Sequence, residues 1–220
     1  NRYVLNGLYL SFKENKLTMV ATDGRRLALA EEEVELPGKS PMELIVPTKA
    51  IQELSRQLGE EGNVKIQITE NQVSFGLEEK QGTGSLIVSK LVEGAYPNYK
   101  QVIPAESKHR VTLDKEELFH ALRRAEIMTS EKANSVKLTF TENNLTFTAN
   151  SPEVGESRET MAIKYGGEET SIAFNPEFFI DPLKALEEDE VHFEFTDQLS
   201  PGVVKVNHPF LYVIMPMRTS

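Results

Sequence analysis

Phe12-Lys13-Glu14-Asn15-Lys16-Leu17-Thr18 returns 128 positions later as Phe140-Thr141-Glu142-Asn143-Asn144-Leu145-Thr146. Leu10 and Ala21, which flank the first stretch, return as Leu138 and Ala149. In both places apolar and polar residues alternate on either side of an Asn-containing turn. Alternation with period two marks a strand with one buried and one wet face. Asn tolerates positive φ and closes a tight hairpin. The stretch therefore reads as one β-hairpin used twice.

The repetition continues outward. Pro47, Ile51 and Leu54 match Pro176, Ile180 and Leu183. Val64, Ile66, Ile68, Thr69 and Glu70 match Val191, Phe193, Phe195, Thr196 and Asp197. Alternating strands resemble one another by chance, but hairpin, helix and hairpin recur in order at a nearly constant offset. That argues for two copies of one α+β domain, residues 1–105 and 106–220, joined near the polar linker Pro104-Ala105-Glu106-Ser107.

Three helices are predicted. One begins at Pro47, with proline at its first position and a stripe of Ala50, Ile51, Leu54 and Leu58. The second starts at Asp114, with Glu117 at capping-box spacing and a stripe of Leu118, Leu122 and Ala125. The third opens at Asn175-Pro176 and carries Phe179, Ile180, Leu183 and Leu186. The second copy thus has a helix at 114–128 before its first long hairpin. The first copy, whose hairpin begins near residue 8, has no room for one. It is expected to be truncated at its N-terminus, with apolar surface left uncovered.

Composition narrows the function classes. The 39% apolar content over 220 residues is enough for packed cores. The chain has no cysteine. Disulfides, thiolate metal sites and cysteine nucleophiles are excluded, and a reducing cytoplasm suits such a chain. Apolar runs fall far short of the roughly 20 residues that span a bilayer, and no signal peptide opens the chain. It starts Asn1-Arg2-Tyr3 without an initiator Met and reads as an expressed fragment. The net charge of −10 argues against a generic nucleic-acid binder. An acidic protein can still present one basic face.

Three motifs resemble those of bacterial DNA sliding clamps, the beta subunit of the replicative DNA polymerase. Val20-Ala21-Thr22-Asp23-Gly24-Arg25-Arg26-Leu27-Ala28 is similar to the family's Thr-Asp-Gly-x-Arg-Leu segment. Leu91-Val92-Glu93-Gly94-Ala95-Tyr96-Pro97-Asn98-Tyr99 is similar to its Leu-x-x-Gly-x-aromatic-Pro-Asp/Asn-Tyr segment. Tyr212-Val213-Ile214-Met215-Pro216-Met217-Arg218 is similar to its C-terminal signature. A family protomer holds three copies of one fold. This chain resembles the middle copy, truncated at its start, followed by the third.

The resemblance implies a DNA-clamp fold with antiparallel sheets outside and helices on an inner face. It implies a homodimeric ring around double-stranded DNA that needs no sequence readout. It also implies a groove between the middle and third domains for short linear peptides. These would come from replicative and translesion polymerases, the clamp loader subunit and mismatch repair proteins. Carried over by position, the lining is Leu5, Thr22, Gly24, Arg25, Arg26 and Leu27, then Pro97 and Val102. From the second copy come Asn175, Phe178, Leu199, Pro201, Val213, Ile214, Met215, Pro216, Met217 and Arg218. Methionines adapt to varied side chains, and arginines can meet carboxylates. The plainer reading keeps Met215 and Met217 as core residues of a terminal strand. Gln101 and Ala133 stand where some members carry a basic and an aromatic residue, which implies a less charged, more open edge. The chain also ends Arg218-Thr219-Ser220 rather than in one apolar residue after the arginine.

DNA contacts implied by the same resemblance are Arg2, Tyr3, Lys49, Arg56, Arg123 and Arg124. The plainer reading of the helical cations, with His120, is a solvated face. Ile127 and Met128 fall at the ring-closing interface, where the alternative is ordinary helix-end packing. Without a first domain the fragment is expected to be monomeric, and the dimeric ring belongs to the full-length protein.

Catalysis finds little support. His109, His120, His192 and His208 are scattered without paired-ligand spacing. No Gly-rich phosphate loop is present, and the acidic runs lack calcium-loop spacing. No cofactor or metal is expected. Two other readings stay open: a two-domain peptide-binding adaptor that does not act on DNA, and a hydrolase or isomerase using Asp23 and a histidine.

Overall fold

The repeated stretch folds as a hairpin in both places. In the computed structural model, which describes residues 2–36, 38, 40–78 and 84–218, β1 (Gly7–Lys13) pairs antiparallel with β2 (Lys16–Thr22), Lys13 opposite Lys16. Glu14 and Asn15 turn the chain at φ 53° and 56°. Two successive left-handed residues give the turn whose twist suits a two-residue hairpin. Its counterpart pairs Thr141 with Asn144, and Asn143 sits at φ 54°.

Contacts divide the chain into two units. The first comprises Asn1–Asp23 and Leu29–Asn98, the second Gly24–Ala28 and Tyr99–Ser220. Strand β3 (Arg26–Glu33) therefore begins with the second unit and continues in the first.

In the first unit, β4 (Met42–Pro47) pairs with β1. Helix α1 (Thr48–Gln57) follows, and β5 (Val64–Ile68), β6 (Gln72–Leu77) and β7 (Ser85–Lys90) form a three-stranded sheet in that order. The core gathers Leu10, Phe12, Leu17, Leu44, Val46, Val73 and Phe75. Pro47 is the residue before α1 rather than its first residue. Its ψ of 139° keeps it extended, because it still pairs with Gly7 in the sheet. Leu58 likewise lies just past the helix and is 46% exposed, so the apolar stripe stops at Leu54.

In the second unit, β8 (His109–Asp114) leads into α2 (Lys115–Glu126). The Asp114 carboxylate accepts from the Glu117 amide at 2.8 Å, so the predicted cap forms. Then come β9 (Val136–Thr141), β10 (Asn144–Ser151), β11 (Gly155–Ala162) and β12 (Thr170–Phe174), in the sheet order β11-β10-β9-β12. Helix α3 (Pro176–Ala185) is capped by Asn175, which accepts from the Glu177 amide at 3.0 Å. Strands β13 (Glu190–Phe195), β14 (Gly202–Lys205) and β15 (Phe210–Ile214) complete a second antiparallel array in which β13 also pairs with β8.

The two cores are filled differently. In the second unit Phe140, Phe174, Phe179, Phe193 and Phe195 are fully buried, and Phe140 stacks on Phe195 at 4.3 Å between ring centres. The positions matching Phe179, Phe193 and Phe195 are Ala50, Ile66 and Ile68, smaller and only half-buried, whereas Phe12, which matches Phe140, is buried. Helix α3 buries Pro176, Phe179, Ile180, Pro182 and Leu183, whereas α1 buries no residue fully. In the second unit α2 also packs on α3 and the β9–β11 strands.

Candidate functional site

Gly24 opens the site. Its φ of 88° favours glycine, and it turns the chain from Asp23 into Arg25-Arg26. The Arg25 carbonyl accepts from the Met215 amide at 2.9 Å, and the Ala173 carbonyl accepts from the Met217 amide at 2.7 Å. These two bonds continue the chain past β15 as a held, extended segment. Tyr212, Val213 and Ile214 are buried, at 7%, 1% and 0% exposure, but Met215 and Met217 are 39% and 37% exposed. The methionines are therefore not core residues. Their backbone is fixed while much of each side chain faces solvent, and the Leu199 side chain is also exposed.

Arg26 is the polar centre. Its guanidinium Nη1 donates to Asp181 Oδ2 at 2.6 Å and to the Tyr212 hydroxyl at 3.4 Å. The same guanidinium lies 4.4 Å from the centre of the Phe178 ring. Phe178 and Asp181 sit three residues apart on α3, so the helix presents both to one arginine. Leu27 is buried beside this residue, and Asn175 is half-buried at the start of α3.

The loop bearing Leu199 and Pro201 is held by Asp197. Its Oδ1 accepts from the Leu199 and Ser200 amides, both at 2.8 Å. The bond from Leu199, with further help from Ser200 and the charge of Lys108, holds the carboxyl below the usual carboxylate range. Beside this loop is a surface cleft of about 420 Å³. Ala173, Leu199 and Met217 supply its apolar wall, and Lys137 and Arg218 its charge.

The structure thus brings Gly24 to Leu27, Asn175, Phe178, Leu199, Pro201 and Met215 to Arg218 into the second unit. Val213 and Ile214 lie beneath as core, and Val102 is 44% exposed in a short 3-10 turn, Tyr99–Val102. Leu5, Thr22 and Pro97 belong to the first unit. There Tyr96, just before Pro97, stacks on Tyr9 at 4.9 Å and donates to the Val20 carbonyl at 3.4 Å. Burial pushes its phenol above the ordinary value, against an opposing hydrogen bond with the Thr22 main chain.

Asp181, Tyr212 and Ala173 anchor the site and escaped the sequence reading. Asp181 had one signal, its spacing from Phe178 on a predicted helix. Ala173 acts through its carbonyl, which no side-chain pattern reveals.

The helical cations are mostly engaged. Arg56 meets Glu53 at 3.2 Å, Arg123 meets Glu126 at 2.8 Å, and Arg124 Nε donates to Glu159 at 2.6 Å. Lys49 is exposed, as is Tyr3 at 78%. The Arg2 side chain and residues 219–220 lie outside the described residues. Ile127 is 67% exposed, while Met128 packs against the core of the second unit. Among the described residues no helix is long and apolar enough to cross a membrane.

Comparison with known proteins gives the chain's family. The profile for the central domain of the DNA polymerase III beta subunit matches residues 1–98, and that for its C-terminal domain matches residues 100–218. A beta sliding clamp of Chlamydia pneumoniae is 37% identical over 218 residues, covering 99% of this chain and 58% of the relative. The crystal structure of the DNA polymerase III subunit beta from Pseudomonas aeruginosa superposes with a TM-score of 0.92 at 33% identity, covering 99% of this chain and 59% of that one. The DNA polymerase sliding clamp from Bacillus subtilis gives 0.91 at 31% identity, covering 100% and 58%. The chain spans somewhat under three-fifths of the length of these relatives. Two domain profiles in order, a whole-chain structural match and the described fold lead to one conclusion: this chain belongs to the DNA polymerase III beta subunit family, the beta sliding clamps.

Proposed function

We propose that this chain is the peptide-docking portion of a replication processivity factor, with residues 1–105 as its middle domain and 106–220 as its C-terminal domain. The observation that carries this reading is the terminal segment. Met215 and Met217 are fixed through their amides yet exposed through their side chains, next to an arginine already oriented by Asp181 and Phe178. An exposed apolar strip on a rigid backbone costs little ordering entropy when a ligand covers it. Methionine adapts to varied apolar partners. Short linear peptides from polymerases, the clamp loader and repair proteins would insert apolar side chains against Leu199, Met215 and Met217. Arg25, Arg26 and Arg218 would meet their polar groups.

On this reading the protein performs no chemistry. It holds enzymes on DNA, and the full-length protein closes into a dimeric ring around the duplex. The inner helices need only to avoid repelling phosphate. The ion pairs of Arg56, Arg123 and Arg124 suit that weak role, because each arginine is partly neutralised by a neighbouring carboxylate. A fluorescent peptide of the glutamine-plus-apolar type is expected to bind this chain, and Met217→Ala combined with Arg26→Ala to weaken it about tenfold or more. Absence of binding at high micromolar protein would overturn the docking reading. The ring is tested separately. The full-length protein, loaded on circular DNA, is expected to slide off once the circle is cut.

A further inference from the structure

The cleft beside the terminal segment extends past the residues that the family resemblance assigns. Lys137 and Ser171 line it with Ala173, Leu199, Met217 and Arg218. Lys137 and Arg218 are its two charges among the described residues, which contribute no carboxylate to its lining. In a chain of net charge −10 that is a local reversal. A further cation lies along the same face, with the exposed Glu156 two residues from it. Arg158 on β11 is in register with Thr148, Thr148 with Lys137, and Lys137 with Ala173. Lys137 is exposed and makes no ion pair among the described residues.

The wall of this cleft is also a strand edge. β12 is the last strand of its sheet, with β9 on one side only. The Ala173 carbonyl points away from β9, since it accepts from the Met217 amide. Two residues earlier, the main chain of Ser171 points the same way by strand geometry. Its side chain is already bonded to Thr139 at 2.9 Å. Among the described residues, the cleft therefore leaves the Ser171 main chain without a partner on that side, with an apolar wall beside it and two cations at the rim.

We propose that this cleft holds an acidic flank of the docked peptide, an aspartate or glutamate just outside its apolar anchor, with Lys137 as the charge that selects it. The proposal rests on the docking reading above. It sets a sequence preference for partners: those with a carboxylate beside the anchor bind more tightly than those with an amide there.

The experiment compares three fluorescent peptides on the whole chain, all amidated at the C-terminus. One carries the glutamine-plus-apolar anchor with Asn-Asn on both flanks. The other two replace the N-terminal or the C-terminal Asn-Asn by Asp-Asp. One acidic version is expected to bind about fivefold more tightly than the amide version. Lys137→Gln should abolish that advantage and Lys137→Glu should reverse it, each read as the ratio of acidic-version to amide-version affinity within the same variant. Raising salt from about 50 to about 500 mM should erase the advantage in the unmodified protein. Equal binding of all three peptides to the unmodified protein, or an advantage that survives both Lys137 substitutions, would overturn the acidic-flank proposal and leave docking standing. Failure of every peptide to bind would overturn docking and the flank proposal together. Unchanged melting curves for both variants would show that the effect is not lost folding, as expected for an exposed strand residue.

Discussion

The Arg26 guanidinium contacts the Asp181 carboxylate, the Tyr212 hydroxyl and the Phe178 ring. The side chains of the ion pair are 27% and 38% exposed, so the pair is worth about 1 kcal/mol rather than the several that burial would give. The ring contact adds about 0.5–1 kcal/mol. Arg26→Ala is therefore expected to lower stability by about 1–2 kcal/mol in urea denaturation. Arg26→Lys should recover less than half, because an ammonium cannot stack and fork at once. Asp197 sets a second expectation. Its carboxyl titrates below its unfolded value, so the turn it holds is at full strength above that unfolded value and weakens as pH falls through the folded one. The amide resonances of Leu199 and Ser200 should move together below about pH 4, and Asp197→Ala should remove that transition. Sequence could supply Arg26 as a site candidate through a motif. It could not supply Tyr212 as a partner, since that contact joins residues 186 positions apart.

At the level of elements, the helix caps were the most legible feature. Asp114 and Asn175 both accept from amides of the first turn, as their residue types and spacing foretell. Asn175→Ala is expected to cost about 1 kcal/mol. Because α3 carries Phe178 and Asp181, and Asn175 is itself a candidate groove residue, the same change is expected to weaken the proposed peptide binding as well. Thermal melts and fluorescence titration of one variant check both. Pro47 was less legible. A proline before an apolar stripe suits the first turn of a helix, but the strand pairing of Pro47 with Gly7 takes priority and moves the helix start by one residue. Strands β7 and β12 carried weaker signals than the hairpins: the exposed face of β7 carries the apolar Leu86 and Val88, and β12 is buried at three successive positions, Ile172, Ala173 and Phe174. Repetition helped more than periodicity, for the second hairpin could be read against the first.

For the molecule as a whole, the aromatic core of the second unit fixes the relative robustness of the two units. Phe193 is fully buried, packs on Phe179 at 5.1 Å, and leaves no room for a side chain at Gly202, where an added Cβ would lie 2.6 Å from its ring. Phe193→Ala is expected to cost about 3–5 kcal/mol. Ile66→Ala, at the matching half-buried position of the first unit, should cost about 2 kcal/mol or less, since a half-exposed side chain loses less transfer energy. Denaturation followed by probes in each unit would show whether the first melts earlier.

Gly24–Ala28 packs with the second unit although it lies in the chain before most of the first. Dissection is thereby constrained. A piece cut at the apparent linker and begun near residue 100 would keep Asp181, Phe178 and Tyr212 but leave behind the guanidinium that joins them. It would also lose the carbonyl that holds the Met215 amide. Loss of docking in such a piece would show only that the cut removed part of the receptor. A minimal piece that tests the proposed docking must instead carry residues 24–28 back in, by circular permutation or as an added peptide, and any gain in binding on adding that peptide would measure what those residues contribute.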